Sequence, residues 1–194
     1  AKYNIVHLGR QDTEVKQKTL NNIINILSRV VPLYEEARVN ICLENECQYY
    51  DNKLGKYLVG TNPGDMLYIL KQLSSPFLGV NLDFGHAHVN KNLDEMIQKL
   101  GNIIKYVHLH DNYGNIDAHL PIGKGNIDFK GFIERLIQKG FSGPYVIENP
   151  DNEYGEKSIE EINSFLPDCG VNEQYQDLIN IMFPKMSSHF YMSY

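Results

Sequence analysis

Five side chains able to bind a metal or move a proton recur along the sequence at long intervals. They are His7, Glu44, Asp83, His108 and Glu148, separated by 37, 39, 25 and 40 residues. Each closes a short apolar run. Two glutamates, an aspartate and a histidine make a hard-to-borderline donor set without thiolate, suited to a divalent ion such as Mn, Mg, Co or Zn. A single acid at a strand end is ordinarily a helix cap or a solvated loop residue. Four such residues sharing both position and strand parity point instead to one site. His86 adds an imidazole three residues after Asp83, in Asp83-Phe84-Gly85-His86. In extended chain the pair Asp117-Ala118-His119 turns both side chains the same way and can clamp a metal. His88 and His110 each follow another histidine by two residues and are read as supporting the ligands from behind or as exposed. Gly123-Lys124-Gly125 offers a phosphate nest or, more simply, a turn.

Strand-length apolar runs alternating with longer helical segments must position these residues. The strands are expected at Tyr3–Leu8, Val39–Glu44, Phe77–Asp83, Ile103–His110 and Gly143–Glu148, with Ala118–Ile122 a weak sixth. Helical period runs through Thr13–Ala37, where Pro32 is expected to break the stretch in two. Further helices are expected at Pro63–Leu73, Leu93–Leu100, Phe129–Lys139, Ser158–Phe165 and Glu173–Phe183. Strands alternating with helices imply βαβ units and a parallel sheet. Parity sets Ile41 and Leu43, Val80 and Leu82, and Val107 and Leu109 (with Lys105) on one face. The opposite face carries Glu44, Asp83 and His108. One apolar face and one ending in ionisable groups fit a (β/α) barrel, whose active site lies at the C-terminal strand ends. A doubly wound sheet is the rival, but it ordinarily buries both faces with apolar residues.

The 194 residues hold 18 Lys+Arg against 24 Asp+Glu, a formal charge of −6 that argues against broad nucleic-acid binding. No apolar run approaches the length of about 20 residues that a membrane span needs, and the start does not resemble a signal peptide. Cys42, Cys47 and Cys169 are too few and too scattered for a disulfide framework, so a cytoplasmic protein is expected. The opening Ala1, directly before a strand, suggests an incomplete chain.

Taken together, Ile5-Val6-His7-Leu8-Gly9, Cys42-Leu43-Glu44-Asn45, Gly79-Val80-Asn81-Leu82-Asp83-Phe84-Gly85-His86-Ala87, Val107-His108-Leu109-His110-Asp111-Asn112, residues 117–128 and Val146-Ile147-Glu148-Asn149 resemble the xylose-isomerase-like TIM-barrel superfamily. That group contains sugar and sugar-phosphate isomerases and epimerases, and nucleases of the endonuclease IV type. The resemblance runs in order from about residue 3 to residue 165. It implies an α/β TIM (β/α) barrel that lacks its first two or three strands here, with residues 1–166 the partial barrel. Residues 167–194 are expected to form a helix and tail outside the resemblance, suited to packing or to contact between copies in a homo-oligomer.

The resemblance also implies roles. Glu44, Asp83, His108 and Glu148 would be the metal ligands. In the epimerase branch Glu44 and Glu148 would also be the acid/base pair, and His86 would contact a substrate oxygen. In the nuclease branch His7 would join Glu44 at one zinc, while His86, Asp117 and His119 would hold another. That branch adds a further histidine from an earlier strand, and a second histidine after the glycine of His7-Leu8-Gly9-Arg10; this sequence has neither. Phe84 stands where threonine is usual after the aspartate. The function expected is a metal-dependent isomerase or epimerase acting on a small sugar or sugar phosphate through an enediolate. A zinc-dependent abasic-site nuclease, with nucleic acid as partner, is the alternative. A non-catalytic metal- or sugar-binding barrel is the third reading.

Overall fold

Five short runs of branched aliphatic residues become parallel strands: β1 Tyr3–His7, β2 Asn40–Glu44, β3 Leu78–Asp83, β4 Ile104–Leu109 and β5 Tyr145–Ile147. The computed structural model describes residues 1–8, 16–48 and 58–166, so the expected helix at Glu173–Phe183, Cys169 and the tail lie outside the described residues. The strands stand in the sheet in chain order, each paired with its successor. A doubly wound sheet must reverse its strand order at a switch point. This order never reverses, and it is that of a β/α barrel.

Among the described residues six α-helices connect and flank the strands: α1 Lys16–Ala37, α2 Pro63–Leu73, α3 Phe84–Val89, α4 Leu93–Leu100, α5 Phe129–Gln138 and α6 Asn152–Phe165. Leu20, Ile23, Leu27 and Val31 recur at three- and four-residue spacing on α1 and are buried. With Met66, Ile69, Ile97, Ile133, Leu136 and Ile162 they cover the strand face formed by Ile41, Leu43, Val80, Leu82, Val107 and Leu109. Among the described residues no helix is long and apolar enough to cross a membrane.

Pro32 sits inside α1 without breaking it. An interior proline costs about 3 kcal/mol, and burial of Leu27 and Val31, each worth about 1.5–3 kcal/mol, offsets that. Ala118–Ile122 is not a strand; one antiparallel bridge joins Leu120 to Asp111. Helix α6 begins six residues before Ser158, because Asp151 accepts the Tyr154 N–H and caps it. Helix α3 was absent from the expected elements; at six residues it is too short to show a period.

Lys105 does not join Val107 and Leu109. The register advances from Val80↔Ile104 to Asn81↔Tyr106, so Lys105 is the extra residue of a β-bulge. Its Nζ donates to Asn40 Oδ1 at 2.8 Å and to the Pro76 carbonyl, which places it on the site-bearing face of the sheet. Gly79 makes room for it: a Cβ there would stand 2.6 Å from Lys105 Cδ.

Candidate metal centre

The polar strand face converges at its C-terminal end on His108. Its Nδ1 lies 3.1 Å from Glu148 Oε2, 3.4 Å from Glu44 Oε1 and 3.8 Å from Asp83 Oδ2. Glu44 comes from β2 and Glu148 from just beyond β5, with Asp83 and His108 between them on β3 and β4. One donor atom from each lies within 4.8 Å of all the others. An ion about 2.1 Å from its ligands sets neighbouring donor atoms roughly 3.0–3.4 Å apart. Both oxygens of Glu44, Oδ2 of Asp83 and Nδ1 of His108 are buried without a hydrogen-bond partner. Orphaned acceptors facing one another are costly unless a cation sits among them, so this donor set fits a divalent ion.

Asp83 divides its two oxygens between separate tasks. Oδ1 accepts the His86 N–H at 2.7 Å and caps α3, while Oδ2 faces the other three donors. An asparagine follows each glutamate and ties it to its neighbour. The Asn45 side chain accepts the Asp83 N–H at 2.7 Å and donates to the Asp83 carbonyl at 3.0 Å. Asn149 Nδ2 donates to the carbonyls of His119 and Leu120, both at 3.0 Å, and its Oδ1 accepts the Ser158 hydroxyl at 2.7 Å. Phe84 does not disturb the cap; it is buried against Phe129 and Phe132.

A second group lies beside the first: His86, His110, Asp117 and His119. His86 Nδ1–H donates to the Asn45 carbonyl at 2.8 Å, and His119 Nδ1–H donates to the Glu148 carbonyl at 3.0 Å. Each therefore turns Nε2 toward Asp117 Oδ2, at 3.3 and 3.4 Å. That is how metal-binding imidazoles are commonly held. His119 reaches this pose from a left-handed backbone, φ 47°. His110 is not exposed: it is fully buried, stacks on His119 at 3.8 Å, and sets Nε2 3.1 Å from Asp83 Oδ1. A Cβ on residue 85 would fall inside the His110 ring, so Gly85 is what admits it. His88 lies outside both groups and meets Asn126 Oδ1 at 2.7 Å.

The glycine-rich turn holds an anion, but an internal one. The buried Asp111 carboxylate accepts the N–H groups of Asn112 (2.8 Å), Gly123 (3.0 Å), Gly125 (2.8 Å) and Ile127 (3.3 Å). These amides are therefore committed to the loop's own carboxylate instead of forming a phosphate nest. The loop so closed presents Asp117 and His119.

Burial alone would lower the pKa of each imidazole here, yet the acids around them win. Asp83 and Asp117 push His86 up to about 11. The carboxylates of Glu148 and Glu44 beside it push His108 up to about 10, and Asp117 pushes His119 up to about 9. Burial would raise the carboxylates, but the charges of His110 and His86 hold Asp83 well below the ordinary range. Asp117 is lowered by His119 and His86, and Glu148 by His108, each against its own burial. The centre as a whole calls for positive charge.

His7 stands at the rim, 61% exposed, with Nε2 3.5 Å from Glu44 Oε2. Its Nδ1 lies 3.3 Å from Glu46 Oε1. Glu46 went unread in the sequence, and His110 was read there only as supporting the ligands or as exposed. Each follows a residue of the quartet by two positions, and that spacing was the signal available.

Residues 2–169 match the sequence profile described as xylose isomerase-like TIM barrel. The uncharacterized protein MJ1311 of Methanocaldococcus jannaschii is 37% identical over 150 residues, 76% of this chain and 49% of that protein. A ketose 3-epimerase of Arthrobacter globiformis is 27% identical over 125 residues, 63% of this chain and 39% of that one. A probable endonuclease 4 of Mycoplasmopsis pulmonis is 28% identical over 181 residues, 85% of this chain and 62% of that one. Among solved structures, a D-tagatose 3-epimerase-like protein superposes with a TM-score of 0.78 at 33% identity. That match covers 88% of this chain and 64% of the other. The chain spans about half the length of the curated relatives it matches.

Proposed function

This chain belongs to the xylose isomerase-like TIM-barrel family, and on that footing we propose that it is a metal-dependent isomerase or epimerase of a sugar or sugar phosphate. The observation that carries this reading is the meeting of Glu44 and Glu148, from separate strands, on the two sides of Asp83 and His108. Similarity to a ketose 3-epimerase and to a D-tagatose 3-epimerase-like protein supports it. Glu44, Asp83, His108 and Glu148 would hold a divalent ion, which supplies Lewis acidity toward a substrate carbonyl and its neighbouring hydroxyl and so favours an enediolate.

The chain's own groups do the rest. Glu148, with 43% of its side chain exposed, is the carboxylate most open to an entering substrate. It removes the carbon-bound proton beside the carbonyl, and Glu44, from the other side of the quartet, returns one. Return to the opposite face of the carbon is epimerisation; return to the neighbouring carbon is isomerisation. His86 Nε2, its ring fixed through Nδ1–H, contacts a substrate oxygen. In the test, the protein is incubated in deuterated water with a panel of ketoses and ketose phosphates. Deuterium should enter a sugar carbon, and Glu148→Gln should abolish that exchange while the protein stays folded. No incorporation with any of the panel would refute the reading.

A second reading, a zinc-dependent abasic-site endonuclease, is favoured by one observation: His86 and His119 both present Nε2 to Asp117, a ready second ion site. Under that reading the Asp117→Ala, His119→Ala double variant loses a metal equivalent and all cleavage of abasic DNA. Under the epimerase reading it keeps measurable sugar turnover.

A further inference from the structure

The quartet does not use Glu46, yet the fold fixes this residue firmly. Its N–H donates to the Gly60 carbonyl at 3.3 Å and its carbonyl accepts from Asn90 Nδ2 at 2.7 Å. Two residues on, the Gln48 N–H donates to Asn90 Oδ1 at 3.0 Å, and Gln48 Oε1 accepts the Leu58 N–H at 3.4 Å. Asn90 is the C-cap of α3, so the exit of β2 is sewn to the helix that Asp83 begins. Lying two residues beyond Glu44, Glu46 continues toward the same side of the chain. Its Oε1 meets His7 Nδ1 at 3.3 Å. A carboxylate can only accept, so Nδ1 carries the hydrogen. Nε2, the other nitrogen, is left at the exposed rim 3.5 Å from Glu44 Oε2.

His86 and His119 are oriented by donating Nδ1–H to backbone carbonyls. At His7 a side chain does that work. A free imidazole prefers its hydrogen on Nε2, so the His7 pose needs an acceptor at Nδ1.

We propose that Glu46 is a positioning residue acting through His7. By holding the hydrogen on Nδ1, it keeps the Nε2 lone pair turned to the mouth as an acceptor for a hydroxyl of the sugar chain. A hydroxyl donating to Nε2 comes beside Glu44, which places the neighbouring carbon at the acid/base pair. The proposal rests on the epimerase reading for its substrate and on geometry alone for the tautomer.

The experiment uses the full chain with Glu46→Ala, Glu46→Gln and His7→Ala. Long-range nitrogen–proton NMR at alkaline pH reads which nitrogen of His7 carries the hydrogen. Wild type should show it on Nδ1 and Glu46→Ala on Nε2. Glu46→Gln should restore the wild-type pattern, because an amide oxygen still accepts. Addition of a ketose should shift the His7 Nε2 resonance in wild type. Loss of one hydrogen bond should raise KM about fivefold in Glu46→Ala and His7→Ala. The kcat should change less than about twofold and metal content should stay the same. An Nε2–H tautomer in wild type, an unchanged tautomer in Glu46→Ala, no ketose-induced shift, or loss of a metal equivalent in His7→Ala would overturn the proposal. Absence of turnover on every ketose would overturn the epimerase reading, while the tautomer measurement would still decide the role of Glu46.

Discussion

Replacing Asp111 by asparagine tests whether one carboxylate holds the loop that presents Asp117 and His119. In the native chain Oδ1 accepts from Asn112 and Ile127, and Oδ2 accepts from Gly123 and Gly125. Asparagine has nearly the same shape but turns one acceptor oxygen into an NH₂ donor. Whichever way the amide is placed, two backbone N–H groups lose their acceptor and face a like donor. Each such loss costs about 1–3 kcal/mol where burial excludes water, and both pairs are at least partly buried. Some relief comes from water reaching Gly123 and Gly125, so the expected destabilisation is about 2–4 kcal/mol, a large share of a typical domain stability of about 5–15 kcal/mol. Urea unfolding of wild type and variant measures it. Hydrogen exchange should show lost protection at two of the four amides and not at strands β2 and β3. A variant less than about 0.5 kcal/mol weaker, with all four amides still protected, would show that the carboxylate is not what closes the loop.

Asp83→Asn should keep the α3 cap through its remaining oxygen but hold the divalent ion weakly. Asp83→Ala should lose both, adding a cap penalty of about 1 kcal/mol; elemental analysis and melting curves separate the two effects. Gly85→Ala places a methyl inside the buried His110 ring, and displacing that ring should cost at least about 2 kcal/mol, read by denaturation. The pH dependence has a definite sign. In metal-free protein the raised pKa values of His86, His108 and His119 mean that their pairs with the acids stabilise fully below about pH 6.5. That stability is lost as pH rises through about 9 to 11, the folded values of His119, His108 and His86. Metal binding must displace the proton on His108, so affinity should rise with pH over this range and metal addition should release protons, measured in weakly buffered solution.

The parts of this protein readable from its sequence are those governed by alternation and by spacing. Glu44, Asp83 and His108 shared a parity within apolar runs, and the sheet places them on one face as parity requires. Alternation failed at Lys105, where a bulge adds one residue and turns its side chain to the other face. Helix α3 is hidden in the sequence because the residue that starts it also reads as a strand end. Asp83 is both. The glycine-rich turn was legible as a set of free amides, but the anion that fills them is set by three-dimensional closure and lies twelve to sixteen residues away. His110 owes its place to the missing Cβ of Gly85, a complementarity between distant positions that no local pattern carries.

The divided carboxylate of Asp83 bears on ion size. An oxygen that caps a helix is not free to swing toward a ligand-binding centre, and α3 has no other side-chain cap at its start. For any ion the quartet accepts, Asp83 therefore offers a single oxygen. Calcium fills six to eight positions and commonly draws on carboxylates that chelate with both oxygens. Magnesium, manganese, cobalt and zinc are smaller and are content with fewer, one-oxygen contacts. At an occupied quartet, helix geometry at the end of β3 would thus discriminate against the larger ion without any residue being set aside for the purpose.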